Sequence, residues 1–358
     1  MASAIVTGSG GLIGSAAVRF LIAEGLEVIG IDNNARRFFF GPEADISWNI
    51  TALRSNYPQR YRHENLDIRD EQGVRSLFAR YGKSIVLVVH AAAQPSHDWA
   101  GRDPHTDFSI NAAGTLNILE ATRRNAPEAV FIFTSTNKVY GDTVNRLEFQ
   151  ELETRYEPLP DEPYAAHGVD ERMSTDRCMH SIFGASKVAA DIMVQEYGRY
   201  FGLATVIFRG GCLTGPDHSA ARLHGFLGYL VRCAILNEPY TIFGYKGKQV
   251  RDNIHADDVV NAFLHCFRSP PPPGEVFNLG GGRTSNISIL EAVDVCEKLT
   301  GNSMRICYDD KARTGDHQWW ISDTRKFQSH YPQWKCKYTM NDIIDEIYFG
   351  MLNRKDIL

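Results

Sequence analysis

The stretch Thr7-Gly8-Ser9-Gly10-Gly11-Leu12-Ile13-Gly14 is the most informative part of this 358-residue chain about its fold. It follows an apolar run of strand length at 4–7 and leads into a segment of helical period at 12–24. The order strand, glycine turn, helix aims the first backbone N–H groups of the helix, those of Leu12 and Ile13 among them, at a pyrophosphate. The stretch therefore predicts a dinucleotide site at the first turn of the fold.

The glycines of this turn are spaced as G-x-x-G-x-x-G, with Gly8, Gly11 and Gly14 at the three positions. Their missing side chains permit a tight turn and a close approach of the ligand. A short glycine turn without a ligand is the alternative. The position of the turn, directly between the first strand and the first helix, favours the dinucleotide site.

Beyond this turn, apolar runs of strand length alternate with longer segments of helical period. The predicted strands lie at 4–7, 27–31, 62–66, 85–90, 129–134 and 204–208. The predicted helices lie at 12–24, 70–81, 106–125 and 183–200. This alternation is typical of a Rossmann-type α/β fold, a doubly wound parallel sheet with helices on both faces.

After about residue 210 the pattern changes to helical segments separated by short strands and loops. These predicted helices lie at 223–236, 256–266, 289–299 and 341–351. An irregular stretch at 141–179, rich in charge and proline, is long enough to be a functional loop. We therefore predict a Rossmann domain at 1–210 with a lid-like insertion at 141–180, and a smaller C-terminal lobe formed mainly by 211–358.

Asp32 stands at the end of the second predicted strand, where an acidic side chain accepts hydrogen bonds from the adenosine ribose hydroxyls and repels a 2′-phosphate. This favours NAD over NADP. Arg36 and Arg37 lie nearby and leave two alternatives open. They can attract a phosphate, or they can be solvated surface charges.

The composition limits the kinds of partner that we expect this protein to bind. The formal charge of −5 offers no surplus of Lys and Arg for nucleic acid. The N-terminus shows no export signal, and no apolar stretch approaches the roughly 20 residues of a membrane span, so we expect a cytoplasmic protein without membrane contact. The seven cysteines lack metal spacing, and we expect no metal site.

Several further motifs occur in the same order as in one known family. They are Leu66-Asp67-Ile68-Arg69-Asp70, His90-Ala91-Ala92-Ala93-Gln94, Asn111-Ala112-Ala113-Gly114-Thr115 and Arg251-Asp252-Asn253-Ile254-His255-Ala256-Asp257-Asp258. With the glycine turn, they make the chain resemble the extended short-chain dehydrogenase/reductases of the nucleotide-sugar epimerase and dehydratase group. The resemblance implies that NAD is bound by the glycine turn, Asp32 and Arg36. It also implies contacts with NAD from Asn33, Asp67, Ile68, Ala91, Ala92, Ala93, Gln94, Asn111, Thr134 and Lys187.

Within that group the chain most resembles the subfamily of 2-epimerases that act on CDP-tyvelose and CDP-paratose. This likeness rests on Ser135-Thr136-Asn137-Lys138-Val139-Tyr140-Gly141-Asp142, Glu151-Leu152-Glu153-Thr154-Arg155-Tyr156 and Gly184-Ala185-Ser186-Lys187. It implies that hydride leaves sugar C2 for NAD and returns to the opposite face of a keto intermediate.

One position departs from the family pattern. The catalytic motif Y-x-x-x-K reads Phe183-Gly184-Ala185-Ser186-Lys187 here, and phenylalanine cannot exchange a proton. Lys187 can still bind the nicotinamide ribose, and Thr136 can hydrogen-bond the reacting hydroxyl. The residues left to carry the proton are Lys138, Tyr164, Cys178, His180 and Cys212, and we place Tyr164 and Cys212 with Thr136 and Lys187 in the candidate catalytic set.

The resemblance also implies a nucleotide-diphosphate sugar as substrate. Arg251 and Arg313 match positions that bind the diphosphate, as a guanidinium does in a bidentate way; surface ion pairs are the alternative. The full set of predicted substrate contacts is Gln94, Thr136, Asn137, Lys138, Cys212, Arg251, Arg313 and Asp316.

Other functions stay open. The same fold supports 4-epimerisation, decarboxylation and 4,6-dehydration, although Thr136-Asn137-Lys138 lacks the two carboxylates that dehydration normally uses. An inactive NAD-binding scaffold is the alternative that Phe183 suggests. By analogy with relatives that pair through the helices at 106–125 and 183–200, we expect a homodimer or a higher homo-oligomer.

Overall fold

The computed structural model describes residues 1–222 and 224–354. Its described part divides into two compact units, each assembled from three segments of chain. The first unit comprises Met1–Val139, Ile182–Arg209 and Val259–Phe277, and the second comprises Tyr140–Ser181, Gly210–Asp258 and the chain from Asn278 onward. The chain therefore passes between the two units several times, once between Arg209 and Gly210.

The strands are short, and most are buried on both faces. In chain order they are β1 (Ser3–Thr7), β2 (Glu27–Ile31), β3 (Tyr61–Glu64), β4 (Ile85–His90), β5 (Val130–Thr136), β6 (Phe149–Glu151), β7 (Tyr156–Pro158), β8 (Thr205–Gly210), β9 (Cys212–Thr214), β10 (Tyr240–Phe243), β11 (Val250–His255), β12 (Glu275–Leu279), β13 (Asn286–Ser288), β14 (Ile306–Asp309) and β15 (Trp319–Trp320).

The helices of the described residues differ in length from five to 21 residues. They are α1 (Leu12–Ala23), α2 (Ala35–Phe40), α3 (Ser47–Asn56), α4 (Glu71–Tyr81), α5 (His97–Arg102), α6 (Pro104–Phe108), α7 (Thr115–Asn125), α8 (Ser181–Phe201), α9 (Phe226–Leu236), α10 (Ala256–Arg268), α11 (Ile289–Thr300), α12 (Arg325–His330) and α13 (Met340–Leu352).

The main sheet has seven strands in the order β12-β8-β5-β4-β1-β2-β3. The pairings of β1 with β2 and β4, of β2 with β3 and of β4 with β5 are parallel. Strand order reverses between β1 and β4, and at such a point the carboxyl ends of the strands leave a crevice. The predicted doubly wound Rossmann-type sheet is confirmed.

The core of the first unit forms where these strands meet their helices. Ile5, Val88 and Phe131 from the sheet pack with Ile118 of α7 and Val194 of α8. Every residue of β1 is buried, as expected of a central parallel strand covered on both faces.

The second unit has smaller sheets and its own core. One sheet has the order β13-β11-β15, with β9 paired to β11. Strands β10 and β14 form a parallel pair, and β6 and β7 form an antiparallel hairpin within the predicted insertion at 141–180. Leu230, Ile242, Ala292 and Ile344 belong to the core beneath them.

Two predictions of local structure need correction. The helix predicted at 106–125 is divided into α6, a π-helix at Ser109–Gly114 and α7. A Cβ on Gly114 would lie 2.7 Å from the Cδ1 of Ile68, so the Ile68 side chain would have to shift to admit a larger residue. Helices α2, α3 and α5 carry no strong apolar period and were not predicted.

Residue 223, where the predicted helix 223–236 begins, and residues 355–358 lie outside the described residues. Within the described ranges, no helix has the length and apolar character needed to cross a membrane.

Candidate active site

The glycine turn has a backbone that only glycine adopts without strain. Gly8 has φ +69°, and its N–H donates to the carbonyl of Ile31 at 2.8 Å. A Cβ on Gly8 would lie 2.9 Å from the backbone N of Ala92, and one on Gly14 would overlap the carbonyl oxygen of Gly8. The turn is thus packed against two neighbouring strand ends and admits no side chain at Gly8 or Gly14.

Helix α1 begins at this turn without a side-chain cap. Its N-cap is Gly11, which offers no side-chain acceptor. Leu12 and Ile13 are its first two residues, and the first N–H groups of a helix have no acceptor within the helix. An uncapped helix N-terminus at a glycine turn fits the pyrophosphate of a dinucleotide.

Asp32 joins the end of β2 to the glycine turn. Its two carboxylate oxygens accept the N–H groups of Gly10 at 2.9 Å and Asn34 at 2.8 Å. Burial raises the pKa of Asp32, while these hydrogen bonds oppose the rise.

Arg36 is half-buried, and its guanidinium lies 5.1 Å from the ring centre of Phe40. Burial lowers the pKa of Arg36 to about 10, although the negative charge of Asp32 opposes this fall. Arg36 is therefore not a fully solvated surface charge.

Two other predicted cofactor residues lie together at the neighbouring strand end. Asn33 donates its side-chain amide to Asp67 at 3.1 Å, and the guanidinium of Arg69 binds the same carboxylate at 2.6 Å. Burial raises the pKa of Asp67, but the hydrogen bonds from Arg69 outweigh burial and lower it overall. The buried Ile68 offers its carbonyl to the side chain of Asn117 at 2.9 Å.

A buried histidine organises the end of β4. The Nδ1 of His90 lies 2.7 Å from the hydroxyl of Thr7, and its Nε2 lies 2.9 Å from the hydroxyl of Thr115. Burial lowers the pKa of His90 to about 3, so the ring is neutral and its role is structural. The half-buried alanines at 91–93 follow it, and the hydroxyl of Thr7 accepts the N–H of Ala92 at 3.1 Å.

Lys187 is a buried cation on α8. Only 4% of the residue is exposed, and its Nζ donates to the carbonyl of Thr134 at 2.9 Å and lies 4.3 Å from the ring centre of Phe133. Burial lowers the pKa of Lys187 to about 8. The hydroxyl of Thr134 in turn donates to the carbonyl of His90 at 2.7 Å, so two adjacent strand ends are joined beneath the lysine.

Thr136 ends β5 and is half-buried. Its hydroxyl lies 3.4 Å from the Oδ1 of Asn137 and accepts the N–H of Lys138 at 3.3 Å. The preceding Ser135 donates to the carboxylate of Asp191 on α8 at 2.6 Å. Strand β5 and helix α8 are thereby fixed to each other next to the candidate hydroxyl.

The same Asp191 forms a buried ion pair that the sequence analysis missed. Arg209 of β8 binds it at 2.8 and 3.1 Å, and both residues are buried. The spacing of Asp191 four residues after Lys187, one helical turn, was the available signal.

Gln94 is fully buried and holds a turn in place. Its side-chain amide donates to the carbonyl of Ser96 at 2.9 Å and to Asp107 at 2.8 Å. Its backbone N–H and carbonyl bond the side chain of Asn111 at 2.9 and 3.0 Å, and Asn111 donates further to Ser186 of α8 at 3.1 Å. The turn after β4 is thus fixed to α8 by side chains.

Phe183, the departure from the motif, is buried with 7% of its surface exposed. The ring of His97, the first residue of α5, packs against it with the ring centres 4.7 Å apart and the planes tilted by 54°. His97 was missed because it lies far from Phe183 in the sequence and in no familiar motif.

In the second unit, the predicted phosphate-binding residues lie together. Arg251, 7% exposed, binds the carboxylate of Asp316 at 2.6 Å and donates to the carbonyl of His317. Asp316 closes a turn by donating its N–H to the carbonyl of Arg313 at 3.0 Å, and Gly315 within that turn has φ +74°. The structure therefore brings the segment of Arg313 to Arg251.

Four of the five candidate proton carriers belong to this unit, whereas Lys138 belongs to the first. Cys212, half-buried, begins β9 opposite Asn253 of β11. Tyr164 is half-buried, and burial raises the pKa of its phenol. The Sγ of Cys178 lies 3.4 Å from the Nε2 of His180. A raised phenol pKa is the reverse of what a proton-accepting tyrosine needs.

Comparison with known proteins covers nearly the whole chain. The sequence profile of the family described as GDP-mannose 4,6 dehydratase matches residues 5–347. CDP-paratose 2-epimerase of Salmonella typhi is 32% identical over 350 residues, which is 96% of this chain and 97% of that enzyme. UDP-glucuronate 4-epimerase of Thermodesulfobacterium geofontis is 26% identical and covers 84% of this chain and 81% of its own length.

Two solved structures share the fold. UDP-glucuronic acid 4-epimerase of Bacillus cereus, in complex with UDP-glucuronic acid and NAD, superposes with a TM-score of 0.79 at 24% identity and covers 98% of this chain and 99% of its own. UDP-glucose 4-epimerase of Thermus thermophilus, in complex with NAD, gives a TM-score of 0.76 at 25% identity with the same coverage. Both likenesses extend through the two units.

Proposed function

Because the chain belongs to the GDP-mannose 4,6-dehydratase family of nucleotide-sugar epimerases and dehydratases, we propose that it is an NAD-dependent epimerase that inverts C2 of a nucleotide-activated sugar. The observation that carries the proposal is the 32% identity to a CDP-paratose 2-epimerase over 97% of that enzyme's length. The proposed substrate is accordingly a CDP-linked deoxyhexose, and the reaction passes through a 2-keto sugar.

NAD is the cofactor, and the residues of the first unit fit it. The turn is closed at Gly8 and Gly14, where a Cβ would meet neighbouring backbone, α1 begins without a side-chain cap, and Asp32 stands at the end of β2. When bound, NAD supplies a reversible acceptor for hydride. We infer that Lys187, fixed to Thr134, holds the nicotinamide ribose and that its positive charge stabilises negative charge developing on the sugar oxygen.

Thr136 and Lys187 form the part of the proposed catalytic set that matches the family pattern. Thr136 presents a half-buried hydroxyl at the end of β5 and is proposed to hydrogen-bond the reacting sugar hydroxyl. Tyr164 and Cys212 complete the set proposed from the sequence. Burial raises the pKa of the Tyr164 phenol, which counts against Tyr164 as the proton acceptor.

Arg251 and Arg313 are proposed to bind the diphosphate end of the substrate, and Asp316 is proposed as a further substrate contact. The guanidinium of Arg251 is already oriented by Asp316, and a pre-oriented guanidinium loses less entropy when it binds a phosphate. Asp316 also closes the turn that follows Arg313, because its N–H donates to the Arg313 carbonyl, and it thereby links the segments that carry the two arginines.

The test is a substrate panel in deuterated water. CDP-paratose and other CDP-, UDP-, GDP- and dTDP-hexoses are incubated with the protein and NAD, and products are identified by NMR. We expect inversion at C2 with the original hydrogen retained, because hydride returns to the carbon it left. Inversion at C4, or loss of water with deuterium at C5, would replace the proposal with another reaction of the family.

An inactive NAD-binding scaffold is the second candidate, and Phe183 is the observation that favours it. Tight NAD binding without turnover of any sugar in the panel would establish it. Arg251 and Arg313, the arginines proposed to bind the substrate diphosphate, argue for an enzyme, because a scaffold that only binds NAD has no need of them.

We also infer that the protein pairs through α7 and α8. Both helices expose apolar side chains: Leu116 is 37% exposed, and Ile182 and Ile192 on α8 are 46% and 50% exposed. Light scattering should give the mass of a dimer or a higher oligomer for the wild type and that of a monomer for Ile192→Glu. An unchanged mass for the variant would place the interface elsewhere.

A further inference from the structure

We propose that His97 carries the sugar hydroxyl's proton in place of the phenol that Phe183 lacks. The proposal rests on the epimerase function proposed above and assigns its missing acid and base. In the described structure the imidazole of His97 packs directly against the phenyl ring of Phe183, with ring centres 4.7 Å apart.

Phe183 occupies the position relative to Lys187 that a motif tyrosine would. The two residues are four apart on α8, so they lie on the same face of the helix, one turn from each other. A group that contacts Phe183 is therefore next to the place where the family's reaction exchanges its proton. His97 is half-buried, so part of the residue is accessible to solvent.

The segment that carries His97 is fixed in position. Ser96 caps α5 by accepting the N–H of Trp99 at 3.1 Å, and Gln94 holds the carbonyl of Ser96 at 2.9 Å. Gln94 is bound by Asn111, which also donates to Ser186 of α8, three residues after Phe183. The hydrogen bonds thus set the turn and the catalytic helix in one arrangement, as a proton-transferring group requires.

Imidazole has the chemistry that this proton transfer needs. A neutral imidazole has one nitrogen with a free lone pair, and its ordinary pKa is closer to neutrality than that of any other side chain. Such a group accepts a proton in one half of the reaction and returns it in the other without help from a neighbouring cation.

The proposed step conserves atoms and electrons. The O–H bond at C2 breaks and its proton passes to an imidazole nitrogen of His97, while the C2–H bond breaks and both of its electrons leave with hydrogen as hydride to the nicotinamide. The C2–O bond becomes a carbonyl. The keto sugar then rotates in the site so that its opposite face meets the nicotinamide. Hydride returns to that face and the imidazolium returns the proton to oxygen, so no net oxidation occurs.

The test compares His97→Gln with the matched control His105→Gln, which replaces an exposed histidine on the adjacent helix α6. Turnover of CDP-paratose and affinity for NAD are measured for both. We expect kcat to fall at least roughly 100-fold in His97→Gln, the usual effect of losing a general base, and to stay within twofold in the control. NAD affinity should be unchanged in both variants.

Rescue separates a proton carrier from a residue that merely packs. His97→Gln combined with Phe183→Tyr restores a phenol beside Lys187, and exogenous imidazole replaces the ring in His97→Ala. We expect each to recover at least a tenth of the lost activity. Turnover of His97→Gln within threefold of wild type, or a loss that neither rescue reverses, would overturn the proposal.

Histidine-ring NMR gives a readout without turnover. The signals of His97 and His105 are assigned from their loss in His97→Gln and His105→Gln. In the Lys187→Met variant, addition of CDP-paratose and NAD should shift the His97 signal and leave the His105 signal unchanged. An unmoved His97 signal would also overturn the proposal. A wild type that turns over no nucleotide sugar refutes the proposed function, whereas an active wild type with an active His97→Gln refutes only the role of His97.

Discussion

Replacing Lys187 by methionine should make the protein more stable and inactive at the same time. Lys187 is buried and its pKa falls from the ordinary 10.5 to about 8, because burial disfavours the charged ammonium group. The unfolded chain binds that proton more tightly than the folded protein does. The lysine therefore opposes folding below pH 8, and the opposition fades as the pH rises from 8 to 10.5.

The size of the effect is set by the two pKa values. The charged lysine opposes folding by about 3 kcal/mol at pH 7 and by about 1 kcal/mol at pH 10. Methionine removes this opposition, loses the hydrogen bond to Thr134, which is worth about 1 kcal/mol, and retains contact with Phe133 through its sulfur. We expect Lys187→Met to be more stable by about 2 kcal/mol at pH 7 and nearly equal to wild type at pH 10.

Urea unfolding followed by tryptophan fluorescence, at pH 7 and pH 10 without NAD, measures both values. The matched control is Lys298→Met on α11, whose side chain is 75% exposed and which should change stability little at either pH. A Lys187→Met variant that is less stable at pH 7, or a difference that does not shrink between the two pH values, would show that the buried charge does not oppose folding. Activity that survives in this variant would show that the active site lies elsewhere.

Three further substitutions test the site and its support. Gly8→Ala should weaken NAD binding at least about tenfold in a titration, because a side chain there meets the neighbouring strand end. The control is Gly25→Ala: Gly25 has a similar positive φ, but a Cβ there would have nothing within 4 Å. This variant should lose about 1 kcal/mol of stability and keep its NAD affinity. Asp191→Ala leaves Arg209 buried without its carboxylate and should lower the free energy of unfolding by about 3–5 kcal/mol in urea; a loss under about 1 kcal/mol would contradict this. Arg251→Ala should weaken CDP binding roughly 10- to 100-fold by calorimetry, and unchanged affinity would remove it from the substrate site.

Much of the first unit could be predicted from the sequence, because its strands are buried on both faces. Strands β2 and β4 have the predicted bounds, 27–31 and 85–90, and α4 and α8 lie within two residues of theirs. Continuous apolar runs and helical periods record burial directly. The predicted Asn33 and Asp67 are in contact, as are Arg251 and Asp316.

Features that depend on contacts between distant side chains could not be predicted. The π-helix around Asn111 arises where that side chain binds Gln94, and the packing of His97 against Phe183 joins two elements with no shared sequence pattern. The buried pair of Asp191 and Arg209 belongs to the same class. Such contacts become visible only when the register of helix against sheet is known.

Because each unit is assembled from separate segments of the chain, the first unit cannot fold completely until late in synthesis on the ribosome. The first unit takes its last segment, Val259–Phe277, from late in the chain, and β12, which begins in that segment, forms one edge of the main sheet beside β8. Synthesis at roughly 5–20 residues per second leaves the nascent chain for seconds with β8 as an open edge, whose unpaired N–H and C=O groups can pair with another chain. We therefore expect nascent chains stalled before β12 to aggregate or to bind chaperones, although they already contain the entire glycine turn and Lys187.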